Sequence, residues 1–259
     1  MAYTYSVSVC IITFNEEARI RDCLESVKWA GEIIVVDSLS TDKTVDICKE
    51  YTDRVYQRQW GGNIDQKNYT IGLATKDWLL CLDADERLSP ELTREIQDVL
   101  KNPGTTDGFL FPRRSCYLGR WIFHGDWYPD YQLRLFKRGC GTWQGTNPHG
   151  RVIIEGKTRY LRHDLYHFNY KNLSHQLRTI DNYSDVFAGI MIDRDKDFSL
   201  FQLVLRPVYK FLKVYIMKRG FLDGLPGFIL AITNSFYIFV KYVKLWERTR
   251  RNGREKNSS

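Results

Sequence analysis

Apolar positions in the first hundred residues alternate between two rhythms. Val7-Ser-Val-Cys-Ile-Ile-Thr13 is a dense β-rich run and predicts a first strand. Asn15 then reads as a helix N-cap, with Glu16 and Glu17 favouring the dipole of the first turn. Ile20, Cys23, Leu24 and Val27 recur at helical spacing, so a helix runs to about Trp29 and Gly31 stops it. Glu32–Val36 is the second strand and ends at Asp37. A polar loop follows, then a helix from Thr44 to about Tyr51, a short strand Arg54–Arg58, and a break at Gly61-Gly62. Ile64–Ala74 reads as a helix. Trp78–Leu82 has strand length and no breaker, which predicts a buried central strand, and another helix spans about Ser89–Leu100. Strands alternating with helices over short connections imply an α/β fold, a mostly parallel sheet covered by helices.

The pattern changes after Asn102. Gly108–Arg114 and Tyr131–Phe136 are strand-like. Between them Leu118–Asp130 is rich in aromatics, with one arginine and two aspartates, a composition suited to a sugar-binding loop. From Asn172 the chain turns helical. Phe198–Lys218 mixes apolar residues with Lys and Arg, Gly220–Gly227 reads as a breaker, and Phe228–Val240 carries no charge. Those thirteen residues are short of the roughly twenty that span a bilayer. Basic residues follow them, so these helices are expected to lie in the interface of an anionic membrane, or else to pack on the catalytic core or a second subunit. The expected organisation is a catalytic domain over 1–170, a helical membrane-associating region over 171–251 and a disordered tail over 252–259.

A net charge of +7 and a pI near 9.0 suit an acidic partner: phosphorylated substrates, an anionic membrane or nucleic acid. The basic residues gather in the C-terminal helices while the strand ends are acidic, which argues against a nucleic-acid partner. Six cysteines show no C-x-x-C spacing and read as small buried hydrophobes rather than disulfides or zinc ligands. No basic region followed by an apolar stretch opens the chain, so no signal peptide is expected. No G-x-G-x-x-G follows the first strand, which disfavours a Rossmann dinucleotide site.

The candidate chemistry sits at strand ends. Asp83 and Asp85 close the central strand, and two carboxylates that near each other call for positive charge between them. Mg²⁺ or Mn²⁺ supplies it, since a hard cation takes one or two carboxylates and completes its shell on substrate phosphates. The alternative is an acidic turn capping the helix near Ser89-Pro90. Lys67 falls early in its helix, within reach of a phosphate, with Asp65 and Gln66 beside it for a sugar or ribose; the alternative for all three is a solvated helix face. Asp37 and Asp42 have loop capping as their alternative. Of five histidines, His124, His163, His167 and His175 are set aside as satisfied surface or core residues.

Three pieces, Cys10–Glu17, Val35–Thr44 and the Leu82-Asp83-Ala-Asp85-Glu86 turn, together resemble the family 2 glycosyltransferases of the GT-A fold. The resemblance implies a nucleotide site drawn from Thr13, Asn15, Glu17, Asp37, Lys67 and Asp83, with Asp37 on the base. It implies a divalent metal held by Asp83 and Asp85. The Trp127-Tyr-Pro-Asp130 and Arg134-Leu-Phe136 pieces resemble a narrower group, bacterial enzymes that add glucose to the inner-core heptose of lipopolysaccharide. That likeness implies UDP-glucose as donor, a lipid-linked saccharide as acceptor, and Asp130 as the base of an inverting transfer, with Asp126 as competitor. Trp127, Arg134 and His149 join the acceptor or sugar side; relatives carry a His-Glu pair at the last, where this chain has His149-Gly150, which counts against a metal role for it. The location implied is cytoplasmic, peripheral on the inner face of the cytoplasmic membrane, and a homo-oligomer stays open. Other readings are transfer onto a polyprenyl-linked or other envelope glycan, a basic nucleic-acid-binding module, and a membrane scaffold with a dead site.

Overall fold

The computed structural model describes residues 5–146, 149–194 and 198–256, with side chains over 5–145, 150–194 and 198–250. In chain order the elements begin with β1 (Tyr5–Thr13), α1 (Ile20–Val27), β2 (Ala30–Asp37), α2 (Thr44–Lys49), β3 (Val55–Gln57) and α3 (Asn63–Gly72). Then come β4 (Trp78–Asp83), β5 (Glu86–Leu88), α4 (Pro90–Lys101), β6 (Gly108–Tyr117), β7 (Arg120–Trp121) and β8 (Asp130–Lys137). The chain continues through β9 (Gly141–Thr146), β10 (His149–Ile154), β11 (Thr158–Tyr160), β12 (Leu165–His167), α5 (Leu173–Asp193) and α6 (Leu200–Leu212). A π-helical turn (Lys213–Met217), a 3₁₀ turn (Gly220–Asp223) and α7 (Gly224–Lys256) follow.

Two compact units emerge, Met1–Arg114 with Asp130–Phe168, and Ser115–Pro129 with Asn169–Ser259. In the first, the strands lie in the order β3-β2-β1-β4-β8-β6-β12-β5. β3, β2, β1 and β4 run parallel, and β8 enters antiparallel beside β4. The expected α/β fold with a mostly parallel sheet is thus borne out. Period-two alternation splits each central strand between two cores. Val7, Val9 and Ile11 pack with Ile20, Leu24 and Val27 of α1 and Leu92 and Ile96 of α4. Cys10, Leu79 and Cys81 face the other way, onto Trp143 of β9 and Val152 of β10. A strand buried on both faces needs a continuous apolar run, which β1 and β4 have.

Three sequence expectations shift here. The first helix begins at Ile20, not after Asn15. Asn15 sits at φ 51° and accepts the Thr41 N–H on Oδ1 at 2.8 Å, so its side chain joins two loops instead of capping a helix. The Gly220–Gly227 breaker includes the start of α7: Leu225, Pro226 and Gly227 form its first turn, where proline's missing N–H costs nothing. Gly220–Arg250 is therefore long and apolar enough to cross a membrane by length and composition, a longer stretch than the uncharged thirteen residues suggested. The helix also runs on to Lys256, into the tail expected to be disordered; residues 257–259 lie outside the described residues. All six cysteines are free; Cys116 and Cys140 are only partly buried.

In the second unit, α7 lies between α5 and α6. Lys244 pairs with Asp181 and Asp185 of α5 at 2.6 and 2.9 Å, and Ser235 Oγ donates to the Pro207 carbonyl of α6 at 2.7 Å. Asp126 is held by Lys210 and, at 2.8 Å, by Lys218. Burial alone would raise the pKa of Asp126; the two ammonium groups overcome it and hold the carboxyl below its ordinary value of 3.8. A depressed folded-state pKa stabilises above the unfolded value and loses that stabilisation as pH falls through the folded one. Asp126→Asn should therefore flatten the loss of stability below about pH 4. Urea midpoints measured from neutral to acid pH check this; parallel curves for parent and variant would refute the pairing.

Candidate active site

The loops after β1 and β2 close on each other because each supplies what the other lacks. Asn15 N–H donates to Ser40 Oγ and Glu16 N–H to Thr44 Oγ1, both at 2.8 Å. Glu17 accepts the Lys43 N–H at 3.1 Å, and Asp42 accepts the Glu17 N–H at 3.2 Å. Asp37, fully buried at the end of β2, accepts the Ser40 N–H at 2.8 Å, the Ser40 hydroxyl, and Gln57 Nε2 at 3.2 Å. The loop-capping role is thus real for both aspartates. Beside them, two buried acceptors have no hydrogen-bond partner among the described residues: Thr13 Oγ1, and Gln66 Oε1, whose amide nitrogen donates to Ser38 Oγ at 2.9 Å. Buried polar atoms of this kind are expected to find a partner.

A second group runs as a ladder of alternating charge. Lys67 of α3 reaches Asp83 at 2.7 Å. Arg134 of β8 bridges Asp83 at 3.0 Å and Glu86 at 2.8 Å through one nitrogen, Nη2. Arg113 of β6 donates to Glu86 at 3.1 Å and, through Nε and Nη2, to Asp130 at 2.9 and 2.7 Å. Gln132 Nε2 donates to the other oxygen of Asp130 at 2.7 Å. The aspartate that closes the central strand and the aspartate that opens β8 are thus joined through Glu86. Glu86 is buried and also accepts the Asp83 N–H at 3.0 Å.

Burial would raise the Asp83 pKa, but Lys67 and Arg134 hold this carboxylate well below the usual range. Burial pulls the Lys67 ammonium below its ordinary value despite Asp83. Its Nζ lies 4.2 Å from the Trp143 ring centroid, a cation–π contact strengthened by desolvation. Lys67 is only 6% exposed, which removes the solvated-face alternative for it and for fully buried Gln66. Asp65, by contrast, is half exposed on its helix and pairs with Arg58 at 2.7 Å. Ser89 Oγ caps α4 by accepting the Leu92 N–H at 3.0 Å, so Asp83 and Asp85 are not needed there.

Arg134 corrects an expectation. Placed on the acceptor side by resemblance, it is 2% exposed and clamped between two carboxylates, while its Nε and Nη1 face no acceptor among the described residues. Trp127 belongs to the second unit, where its ring packs at 5.5 Å on Tyr117 and 6.0 Å on Tyr170. The side chain of His149 lies outside the described residues. Glu86 and Arg113 were missed by sequence reasoning, although Glu86 stands inside the quoted acidic turn. His167 was set aside, yet its Nε2 lies 3.5 Å from Asp85, because β12 pairs with β5 and places His167 opposite Glu86.

A divalent cation fits the donor set. Asp83 and Asp85 keep 25% and 22% of their side-chain surface open to solvent. Among the described residues no cluster of three or more His, Cys, Asp or Glu could enclose a metal, so two carboxylates plus oxygens brought by a diphosphate is the coordination these residues can offer.

In an open α/β sheet ligands bind beyond the carboxyl ends of the strands, where the acidic loops lie here, and the fold is the nucleotide-sugar-binding GT-A fold. Residues 8–162 match the family described as Glycosyl transferase family 2, and the chain belongs to that family. It is 30% identical to an uncharacterised glycosyltransferase of Rickettsia typhi, over 93% of this chain and 87% of the relative. It is 29% identical to the lipopolysaccharide core biosynthesis glycosyltransferase LpsC of Rhizobium meliloti, over 93% of this chain and 92% of the relative. Its structure is similar to that of the mannosyltransferase PcManGT from Pyrobaculum calidifontis, solved in complex with GDP-Man and Mn²⁺, with a TM-score of 0.55, 15% identity, and coverage of 95% and 88%. The resemblance drawn from the three acidic motifs is borne out, and the protein is a glycosyltransferase.

Proposed function

We propose that this chain transfers glucose, with inversion, from UDP-glucose to a lipid-borne saccharide such as inner-core heptose, as a peripheral enzyme on the inner face of the cytoplasmic membrane. The observation that carries the reading is the ladder from Lys67 through Asp83, Arg134, Glu86 and Arg113 to Asp130. It ties a donor-side carboxylate to Asp130, a second carboxylate held in place by Arg113 and Gln132. Likeness to LpsC, named for lipopolysaccharide core biosynthesis, supports the acceptor class.

Asp37, Gln66 and Thr13 would receive the nucleoside, with Asn15 and Glu17 holding the loop around it. Asp83 and Asp85 would hold Mg²⁺ or Mn²⁺, which supplies positive charge against the departing diphosphate. Lys67 adds fixed positive charge beside Asp83 without reorganising. Asp130 takes the proton from the acceptor hydroxyl. A carboxylate offers about four lone-pair positions. Arg113 fills two on Oδ2 and Gln132 one on Oδ1, which leaves Oδ1 one position for a hydroxyl.

The donor side is tested by melting the protein with UDP-glucose, UDP and GDP-mannose, with and without Mn²⁺. A ligand that binds only the folded state raises the melting temperature. UDP ligands should do so, and Mn²⁺ should enlarge the shift. Asp85→Ala should abolish the enlargement while the unliganded melting temperature stays within a degree or so, since a part-exposed carboxylate adds little to the core. Equal enlargement by metal in parent and variant would remove Asp85 from the site.

A further inference from the structure

α6 wears its apolar residues on the outside. Phe201, Val204, Leu205, Val208 and Leu212 recur at three- and four-residue spacing, so they share one face about 16 Å long. They are 72, 53, 45, 53 and 47% exposed. The π-helical turn after it adds exposed apolar residues, Ile216 at 52% and Met217 at 66%. The opposite face is the packed one: Pro207 and Val214 are buried, and the Phe211 ring lies 6.1 Å from that of Phe228 on α7. A helix that ends a fold in water carries the reverse arrangement, and a contiguous outward apolar stripe marks a docking surface.

The charge around the stripe selects its partner. Between Phe198 and Trp246 there are seven Lys or Arg and a single acid, Asp223. That acid is buried, accepting the His124 N–H at 2.9 Å; Lys210 and Lys218 are paired with Asp126 and Lys244 with Asp181 and Asp185, so the charge this segment has left to present is positive. A second copy would bring the same patch to itself across a two-fold axis, cation against cation. A nucleic acid would meet mainly aliphatic side chains, which offer no stacking platform for bases. An anionic bilayer satisfies both parts, since aliphatic side chains enter the acyl boundary while Lys213 and Arg219 reach headgroups along their apolar stems.

We infer that the outward face of α6 and the turn after it is the surface by which this protein docks on an anionic lipid bilayer. This deepens the peripheral-membrane reading above and moves the contact away from the uncharged Phe228–Val240 run, whose exposed residues Phe228, Ile232, Phe236 and Phe239 are only 40–46% open.

The test is flotation of the whole protein with phosphatidylcholine vesicles, with and without phosphatidylglycerol. The parent should float with the anionic vesicles. The double variant Val204→Asp/Val208→Asp should lose roughly tenfold or more in partitioning, because two buried side chains are removed from the acyl boundary and two like-signed charges are added. Phe201→Ser, at the most open position, should lose severalfold, which keeps the test valid should the double variant fold poorly. The matched change Ile232→Asp/Phe236→Asp on α7 should cost much less. All variants should keep the UDP affinity of the parent. If the α6 variants float as the parent does and the α7 variant does not, the inference fails and the membrane reading stands. A parent that floats with no vesicle sinks the membrane reading itself. A parent that is dimeric in the ultracentrifuge and becomes monomeric on Val204→Asp/Val208→Asp assigns the stripe to a second copy and overturns the inference.

Discussion

Asp130→Asn is expected to lower kcat by about 10²–10⁴-fold, the usual contribution of a positioned general base, with donor and metal affinity nearly unchanged. Asparagine keeps the size of the side chain and one oxygen for Arg113 or Gln132, but it cannot accept a proton at neutral pH. Asp126→Asn is the matched control, and its geometry explains why it should keep turnover. Asp126 lies in the second unit between Lys210 and Lys218, which hold its carboxyl below the ordinary range against the effect of burial. Both of its oxygens meet an ammonium group, Oδ2 that of Lys210 and Oδ1 that of Lys218, whereas Oδ1 of Asp130 accepts from the neutral Gln132 amide. Measuring kcat and donor Kd for both variants with one acceptor preparation decides between them. Loss of turnover in Asp126→Asn alone would shift the base four residues upstream; turnover kept in both would place it elsewhere among the acidic strand ends.

Glu86→Ala should be among the most destabilising single changes in the first unit. The carboxylate has no solvent-exposed surface and accepts from Arg134, Arg113 and the Asp83 N–H. Its removal leaves two guanidinium groups facing each other with one acid fewer between them. Breaking a buried ion network by deleting one partner costs about 3–5 kcal/mol. For a chain of this size that corresponds to a fall of roughly 10 °C in melting temperature. Glu86→Gln keeps the shape and an acceptor for one guanidinium, and should lose less. Denaturant midpoints and melting curves of the two variants check the ranking. Both within about 0.5 kcal/mol of the parent would mean that the network contributes nothing net. Asp130 should feel the loss as well, because Arg113 spans both acids.

The local pattern of the sequence was enough for the parallel half of the sheet. Unbroken apolar runs mark strands covered on both faces, and the i, i+3, i+4, i+7 spacing at Ile20, Cys23, Leu24 and Val27 marks a helix with one buried face. Asp37, Asp83 and Asp85 were legible because a strand that ends abruptly in acid leaves its carboxylates beyond the sheet edge. Periodicity sees only near neighbours, and what it missed depends on partners far along the chain. Asn15 looks like a cap until Ser40 and Thr41, more than twenty residues away, take its backbone N–H and side-chain oxygen. Lys67 and Gln66 read equally as site residues or as a solvated face until β9 brings Trp143 over the lysine and Ser38 takes the glutamine amide. Glu86, Arg113 and Arg134 become one network only because β8 inserts antiparallel beside β4 and β6 beside β8. In α6 the sequence shows apolar residues mixed with basic ones at helical spacing, and either face could have been the buried one. Packing of Pro207 and Phe211 against α7 decided it. A helix can hide one face on a single neighbour, and here the face left over holds five large apolar side chains that the fold itself does not cover.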